Sequence, residues 1–125
     1  MADLVIADDE TEVRKKLEKE LKHAGHSVRL AHDGLGALDT VMESAPDLLL
    51  VDWLMPVLTG GEVIERLRTD EKFAKKDIPI IGMTDLGDDK NIKVFIQRGA
   101  DDTWMKDLSA KGIGELLGKI QLLLK

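Results

Sequence analysis

Acidic side chains follow two of the short apolar runs in the sequence. Asp8 and Asp9 come directly after the run at 4–7, and Asp52 comes directly after the run at 48–51. If both runs are neighbouring strands, these carboxylates converge, and like charges a few ångströms apart raise one another's pKa. Such a cluster is costly without a cation. A small number of carboxylate oxygens suits Mg²⁺, which keeps several waters and often binds beside phosphate.

Two further polar groups follow later apolar segments. Thr84 ends the fourth predicted strand and offers a hydroxyl, and Lys106 follows the fifth and offers an ammonium. A carboxylate nucleophile, a divalent cation, a hydroxyl and a lysine are the components needed to form and hold an aspartyl phosphate. The pattern therefore points to phosphoryl chemistry at one edge of a sheet.

Predicted strands and helices alternate along the chain and carry these polar groups. Mainly apolar runs at 4–7, 48–51 and 78–81, an alternating stretch at 28–30 and a brief segment at 103–105 are predicted as strands, and a helical pattern follows each of them. This alternation predicts an α/β fold with a parallel sheet. The first, third and fourth runs are the most apolar, so we expect them at the centre and the other two at the edges. The prediction is a flavodoxin-like, doubly wound five-stranded sheet of order 2-1-3-4-5 with five helices, whose ligands bind near the reversal between strands 1 and 3.

Apolar spacing predicts which face of each helix is buried. For the first helix the expected inward residues are Val13, Leu17, Leu21 and Ala24. For the second they are Leu35, Leu38, Val41 and Met42; the fourth helix carries Ile92, Phe95 and Ile96.

Length and composition narrow the class of protein. The 125 residues predict one domain, 1–125, that ends with its fifth helix, and 43% apolar with 34% charged residues is typical of a globular chain. No apolar run is long enough for membrane insertion, and no secretory signal is visible. The absence of cysteine excludes disulfides and thiolate chemistry. A net charge of −6 argues against direct nucleic-acid binding. We expect a soluble cytoplasmic protein.

In combination, the motifs resemble the receiver domain of bacterial two-component response regulators, of the single-domain, chemotaxis-regulator-like type. The resemblance covers the whole chain. Its pieces are Asp8-Asp9, Asp52 with Met55-Pro56 and Gly60, Thr84, and Gly99-Ala100-Asp101-Asp102 leading to Lys106.

The resemblance implies a function for each matching residue. Asp52 would accept a phosphoryl group from a sensor histidine kinase, a phosphotransfer protein or a small phosphodonor. Asp8, Asp9 and Asp52 would hold Mg²⁺ together with the backbone carbonyl of Leu54. Thr84 and Lys106 would contact the phosphoryl oxygens. Such a protein is not an enzyme in the usual sense, since it catalyses only its own phosphorylation and dephosphorylation, and it signals by binding a downstream protein.

Three positions depart from the family pattern. Asp107 stands where proline usually follows the lysine, Thr103 where an aromatic switch residue is usual, and Asp85 where a small residue is usual. A cis bond before a non-proline residue costs roughly 2.5–4 kcal/mol, so we expect a trans Lys106–Asp107 bond. Thr103 and Asp107 keep open an alternative function, a receiver-shaped interaction module that phosphorylation does not control.

A different function on the same fold, flavin carriage, fits poorly. Binding the phosphate of a flavin nucleotide would need a cradle rich in serine, threonine or glycine after the first strand. Asp8, Asp9 and Glu10 occupy that place and would repel a phosphate.

Two apolar residues bear on how long a phosphoryl group would last. By the resemblance, Leu54 and Leu86 flank the path of the water that would attack the aspartyl phosphate. Neither can orient a water by hydrogen bonding, so we expect slow self-dephosphorylation.

Overall fold

Strands and helices alternate five times in the computed structural model, which describes residues 1–73, 75–85 and 87–125. The elements are β1 (Asp3–Ala7), α1 (Thr11–His23), β2 (Ser27–Ala31), α2 (Gly34–Glu43), β3 (Leu48–Asp52), α3 (Gly60–Thr69), β4 (Ile80–Thr84), α4 (Asp89–Arg98), β5 (Asp102–Met105) and α5 (Ala110–Leu123). Within those ranges, none of the helices has the length and apolar character needed to cross a bilayer.

The five strands form one parallel sheet in the order β2-β1-β3-β4-β5. This confirms the predicted fold class and strand order. Every residue of β3 and β4 is buried, whereas β2 is half exposed at the edge. The strands that are apolar throughout therefore lie in the middle of the sheet, where helices cover both faces.

Alternate residues of the central strands enter two separate cores. Val5, Leu49 and Ile80 pack on one face with side chains from α2, α3 and α4. Their neighbours Ile6 and Leu50 pack on the other face with side chains from α1 and α5. Because side chains alternate across a strand, one continuous apolar run supplies both layers. The two layers together hold the carboxyl ends of the strands at a common edge.

The buried face of α2 differs from the prediction. Leu35 and Met42 are about half exposed, while Ala37, Leu38 and Val41 are buried. The helix starts at Gly34, whose Cα lies so near Leu58 that an added Cβ would be 2.5 Å from the Leu58 Cβ. This close approach determines how α2 is rotated about its axis and turns Leu35 outward.

The end of α1 also differs from the prediction. Ala24 is exposed because it caps the end of α1, just before Gly25 at φ +99°. In α4 only Phe95 is fully buried, and Ile96 is 49% exposed. The α4 helix covers the sheet through a single large side chain, so its remaining apolar residues stay partly outside the core.

The fourth strand begins later than the apolar run at 78–81 predicted. It starts at Ile80, after Pro79, which has no N–H to donate to a neighbouring strand. The Pro79 carbonyl accepts a hydrogen bond of 2.9 Å from the Leu49 N–H. The strand continues to Thr84, so the threonine lies at its carboxyl end as expected.

Candidate functional site

Four strands deliver the predicted site residues to one edge of the sheet. Asp8 follows β1, Asp52 is the last residue of β3, Thr84 is the last residue of β4, and Lys106 follows β5. Because all the strands are parallel, their carboxyl ends open on the same side. The sequence interpretation and the structure agree on this placement.

The ammonium of Lys106 is the centre of the site. Its Nζ lies 3.2 Å from Asp52 Oδ1 and 3.4 Å from Asp8 Oδ2. It also lies 3.2 Å from Glu10 Oε1 and 3.5 Å from Asp85 Oδ1. The lysine side chain is only 6% exposed; of its four partners, Asp8 and Asp52 are buried, and Glu10 and Asp85 are exposed. The single positive charge of Lys106 thus lies within 3.5 Å of four carboxylates.

The two buried carboxylates are destabilised in their charged form. The pKa of Asp52 is raised to about 7, first by burial and then by the nearby Asp8 carboxylate, while Lys106 and the N–H of Trp53 act to lower it. Burial likewise raises the pKa of Asp8, against hydrogen bonds from the Glu10 N–H and Lys106. Burial disfavours the charged lysine too, but the facing Asp52 and Asp8 outweigh it and raise the pKa of Lys106. The lysine stays charged and only partly compensates the carboxylates.

The acidic groups lie close enough together to share a cation. One carboxylate oxygen from each of Asp8, Asp9, Glu10 and Asp52 lies within 4.8 Å of the others. Asp8 and Asp52 are buried, and Asp9 and Glu10 are exposed. Hard oxygen donors partly open to water match the preference of Mg²⁺. Leu54 lies two residues beyond Asp52 at the same edge, and its side chain is exposed; the contribution of its carbonyl stays a prediction.

The hydroxyl of Thr84 is buried and has no hydrogen-bond partner among the described residues. Its backbone is well held, because the Thr84 carbonyl accepts the Lys106 N–H at 2.8 Å. A buried hydroxyl without a partner costs free energy, so native proteins seldom retain one unless something else satisfies it. The group is available to an oxygen-rich ligand at this edge.

The loop between β3 and α3 holds the acceptor end of β3 in place. The Gly60 N–H donates to the Trp53 carbonyl at 2.9 Å, and Thr59 and Glu62 form a reciprocal capping box at the start of α3. The Trp53 N–H donates to Asp52 Oδ1 at 2.9 Å, and the Trp53 ring meets Phe95 edge-on at 5.1 Å. These contacts orient the Asp52 carboxylate and connect it to α4.

Val57 in the same loop has φ +74°. A left-handed conformation is strained for a β-branched residue, at a cost on the order of 1–3 kcal/mol. The side chain is 69% exposed, so little packing is lost on its removal. We therefore expect Val57→Gly to raise the free energy of unfolding by about 1 kcal/mol, measured by urea denaturation. Val94→Gly, inside α4, should instead lower the free energy of unfolding. If Val57→Gly also lowered it, the backbone of Val57 would not be strained.

The loop between β5 and α5 shows how the chain accommodates Asp107. The Lys106–Asp107 bond is trans, as expected. Asp107 Oδ1 accepts the Ser109 N–H at 3.0 Å, and Ser109 Oγ in turn accepts the Gly112 N–H and caps α5. Asp107 therefore supports a helix cap next to the lysine, and among the described residues it is not one of the carboxylates that pair with Lys106.

Two residues of the site were not among the predicted site residues. Glu10 and Asp85 both contact Lys106, and Glu10 also joins the acidic group. Glu10 is adjacent to the predicted aspartate pair, and Asp85 is an acidic residue directly after Thr84. Their places next to predicted site residues are evident in the sequence. Their contacts with the Lys106 ammonium are seen only in the structure, because they depend on the conformation of the lysine side chain.

Comparison with known proteins gives one consistent family. Residues 4–118 match the family model of the response regulator receiver domain. The chain is 35% identical over 122 residues to Response regulator MprA of Mycobacterium avium (strain 104), covering 98% of this chain and 50% of that protein. It is 37% identical over 122 residues to the probable transcriptional regulator ycf27 of Guillardia theta, covering 98% and 45%. The chain spans about half the length of these curated relatives.

Solved structures show the same fold over nearly the whole chain. A putative response regulator from Chloroflexus aurantiacus J-10-fl has a TM-score of 0.89 at 31% identity, covering 98% of this chain and 97% of that one. The chemotaxis response regulator CheY4 of Vibrio cholerae has a TM-score of 0.84 at 26% identity, covering 96% and 98%.

Proposed function

This chain belongs to the response regulator receiver domain family of two-component systems, and from that premise we propose that Asp52 is its phosphoacceptor. A sensor histidine kinase, a phosphotransfer protein or a small phosphodonor supplies the phosphoryl group. The reaction depends on Mg²⁺. Residues 1–125 act as one receiver domain.

The observation that carries this proposal is the setting of the Asp52 carboxylate. It is 4% exposed, and one of its oxygens lies 3.2 Å from the Lys106 ammonium. The Thr84 hydroxyl lies at the end of the neighbouring strand and has no hydrogen-bond partner in the part of the chain that the structure describes. A nucleophilic oxygen, a fixed cation and a free hydroxyl donor at one edge are what phosphoryl transfer requires, since its catalysis is mainly positioning and charge neutralisation.

Each residue has a separate part in this reaction. Asp8, Asp9 and Asp52 would hold the Mg²⁺, and Glu10 is close enough to take part; the Leu54 carbonyl would be a further ligand. When bound, Mg²⁺ neutralises charge on the acidic group and on the phosphoryl oxygens. Thr84 donates its hydroxyl to one phosphoryl oxygen. Lys106 moves from the Asp52 carboxylate to another phosphoryl oxygen as the acyl phosphate forms.

The output of the domain is an interaction with a downstream protein, in the cytoplasm, without membrane insertion or direct nucleic-acid contact. The domain acts on no separate substrate beyond its phosphodonor and the water that removes the phosphoryl group. Thr103, half-buried in β5, has no ring to swing inward. We expect a muted rearrangement of α4, β5 and α5, with the change concentrated in the loop after β4. Leu86 in that loop lies outside the described residues.

A titration with Mg²⁺ and beryllofluoride, a phosphoryl mimic, tests the proposal directly. Trp53 is the reporter, because its backbone N–H contacts Asp52 and its ring contacts Phe95. We expect a saturable fluorescence change that requires both reagents and that is lost in Asp52→Asn. A folded wild-type protein with no response to the combination would instead favour the interaction module that phosphorylation does not control.

The apolar residues near the water path predict a long-lived phosphorylated state. Leu54 is 64% exposed in the loop after Asp52 and offers no side-chain hydrogen bond to an attacking water. Replacing Leu54 with asparagine and Leu86 with glutamate should speed the loss of the phosphoryl group several-fold. The measurement is the decay of phosphorylated protein after removal of the donor. An unchanged decay rate would show that these two side chains do not limit the attack.

A further inference from the structure

Asp85 is an acidic residue at the mouth of the site with no part in the reaction so far described. It directly follows Thr84 at the end of β4, and its side chain is 69% exposed. Its Oδ1 lies 3.5 Å from the Lys106 ammonium, which Asp52 contacts at 3.2 Å. The carboxylates of Asp52 and Asp85 thus contact the same ammonium group. The two oxygens can be no more than about 7 Å apart, close enough for their charges to interact.

The charge of Asp85 is not shared with the acidic group that fits Mg²⁺. That group comprises Asp8, Asp9, Glu10 and Asp52 among the described residues. A cation held there would offset those four residues, whereas the cation that pairs with Asp85 among the described residues is Lys106. When Lys106 turns to a phosphoryl oxygen, Asp85 loses its counter-ion and faces the incoming anion without compensation.

The transfer step shows where this charge acts. With acetyl phosphate, an Asp52 oxygen forms a bond to phosphorus, the phosphorus–oxygen bond to the acetyl group breaks, and its electron pair leaves with acetate. With phosphoramidate, the phosphorus–nitrogen bond breaks, and the nitrogen leaves as ammonia with that pair and its proton. Near neutral pH the first donor is doubly and the second singly negative. A fixed negative charge at the mouth opposes the first more strongly.

Resting on the proposed phosphorylation of Asp52, we infer that Asp85 is a specificity-determining residue that selects against highly anionic phosphodonors. It does so by two effects of one carboxylate. It repels the donor, and it competes with the phosphoryl oxygens for Lys106. The favoured donor is one of low net negative charge, such as a phosphorylated imidazole on a partner protein.

The test compares phosphorylation rates of Asp85→Asn and the wild type with each small donor at saturating Mg²⁺. Asparagine keeps the shape of the side chain and removes its charge. The charge of Asp85 and the charge of the donor interact over about 7 Å, and solvent partly screens them. Each negative charge on the donor is therefore expected to slow phosphorylation about three-fold or more. We expect Asp85→Asn to react about ten-fold faster with acetyl phosphate and about three-fold faster with phosphoramidate. Added salt should narrow both differences.

Two variants separate the local charge from other effects. Asp85→Glu keeps the charge and should retain the wild-type preference between donors. Glu115→Gln changes the net charge equally on the exposed side of α5 and should leave both rates unchanged. Equal rates for Asp85→Asn and wild type, or an acceleration that is the same for both donors, would overturn the inference alone. Absence of phosphorylation in every variant would overturn the proposed function and this inference with it.

Discussion

Replacing Asp52 with asparagine is expected to abolish phosphorylation of the protein. The amide cannot act as the nucleophile, and no other carboxylate of the site combines burial, 3.2 Å contact with Lys106 and a place at the end of a central strand. Wild-type protein incubated with acetyl phosphate and Mg²⁺ should gain one phosphoryl group by intact-mass spectrometry. Asp52→Asn should gain none, and a chelator should prevent labelling of the wild type.

A matched control makes this result specific. Asp77→Asn makes the same chemical change at an exposed position that precedes β4, at the amino end of the strand and away from the site. This variant should be phosphorylated as the wild type is. Asp52→Asn should remain folded, because the change removes a charge that burial destabilises. Labelling of a folded Asp52→Asn to the wild-type extent would show that the acceptor lies elsewhere.

The second large effect is expected from Gly60→Ala at the start of α3. A Cβ at this position would lie 2.2 Å from the Asp52 carbonyl oxygen and 3.1 Å from Phe95 Cε1. The backbone of β3 cannot yield as a flexible side chain can, so the strand end carrying the acceptor must shift. We expect a loss of about 3 kcal/mol in the free energy of unfolding, together with much slower phosphorylation of the protein that remains folded.

Gly118→Ala is the matched control for this change. Gly118 lies in the exposed part of α5, and a Cβ there meets nothing within 4 Å. Alanine is the better helix former, so this variant should gain about 0.5–1 kcal/mol. Urea denaturation of both variants measures the contrast. Wild-type stability and labelling in Gly60→Ala would mean that the loop does not hold Asp52 as tightly as the contact implies.

The order of the strands and the placement of four predicted site residues at their carboxyl ends follow from the amino-acid sequence. Uninterrupted apolar runs mark strands covered on both faces, and in a parallel sheet those strands end at one edge. The residues just beyond each run, Asp8, Asp52, Thr84 and Lys106, could therefore be placed together without coordinates. The reason is that parallel strands bring residues far apart in the chain to a common edge, whatever the details of packing.

The choice of the buried face of α2 depends on packing between elements. Several apolar residues of α2 could have faced the core, and the contact of Gly34 with Leu58 selected the face without Leu35 and Met42. Periodicity indicates that a helix is amphipathic, but where a helix carries more apolar residues than its buried face holds, packing chooses among them.

The same holds for the charges around Lys106. Its ammonium sits at the end of a long side chain, so neighbours along the sequence do not reveal its partners. Its contacts with Glu10 and Asp85, the burial of the unpartnered Thr84 hydroxyl and the left-handed backbone of Val57 depend on how four loops meet. Strand order follows from patterns within single segments, whereas these features arise between segments, where only the packed chain sets distance and desolvation.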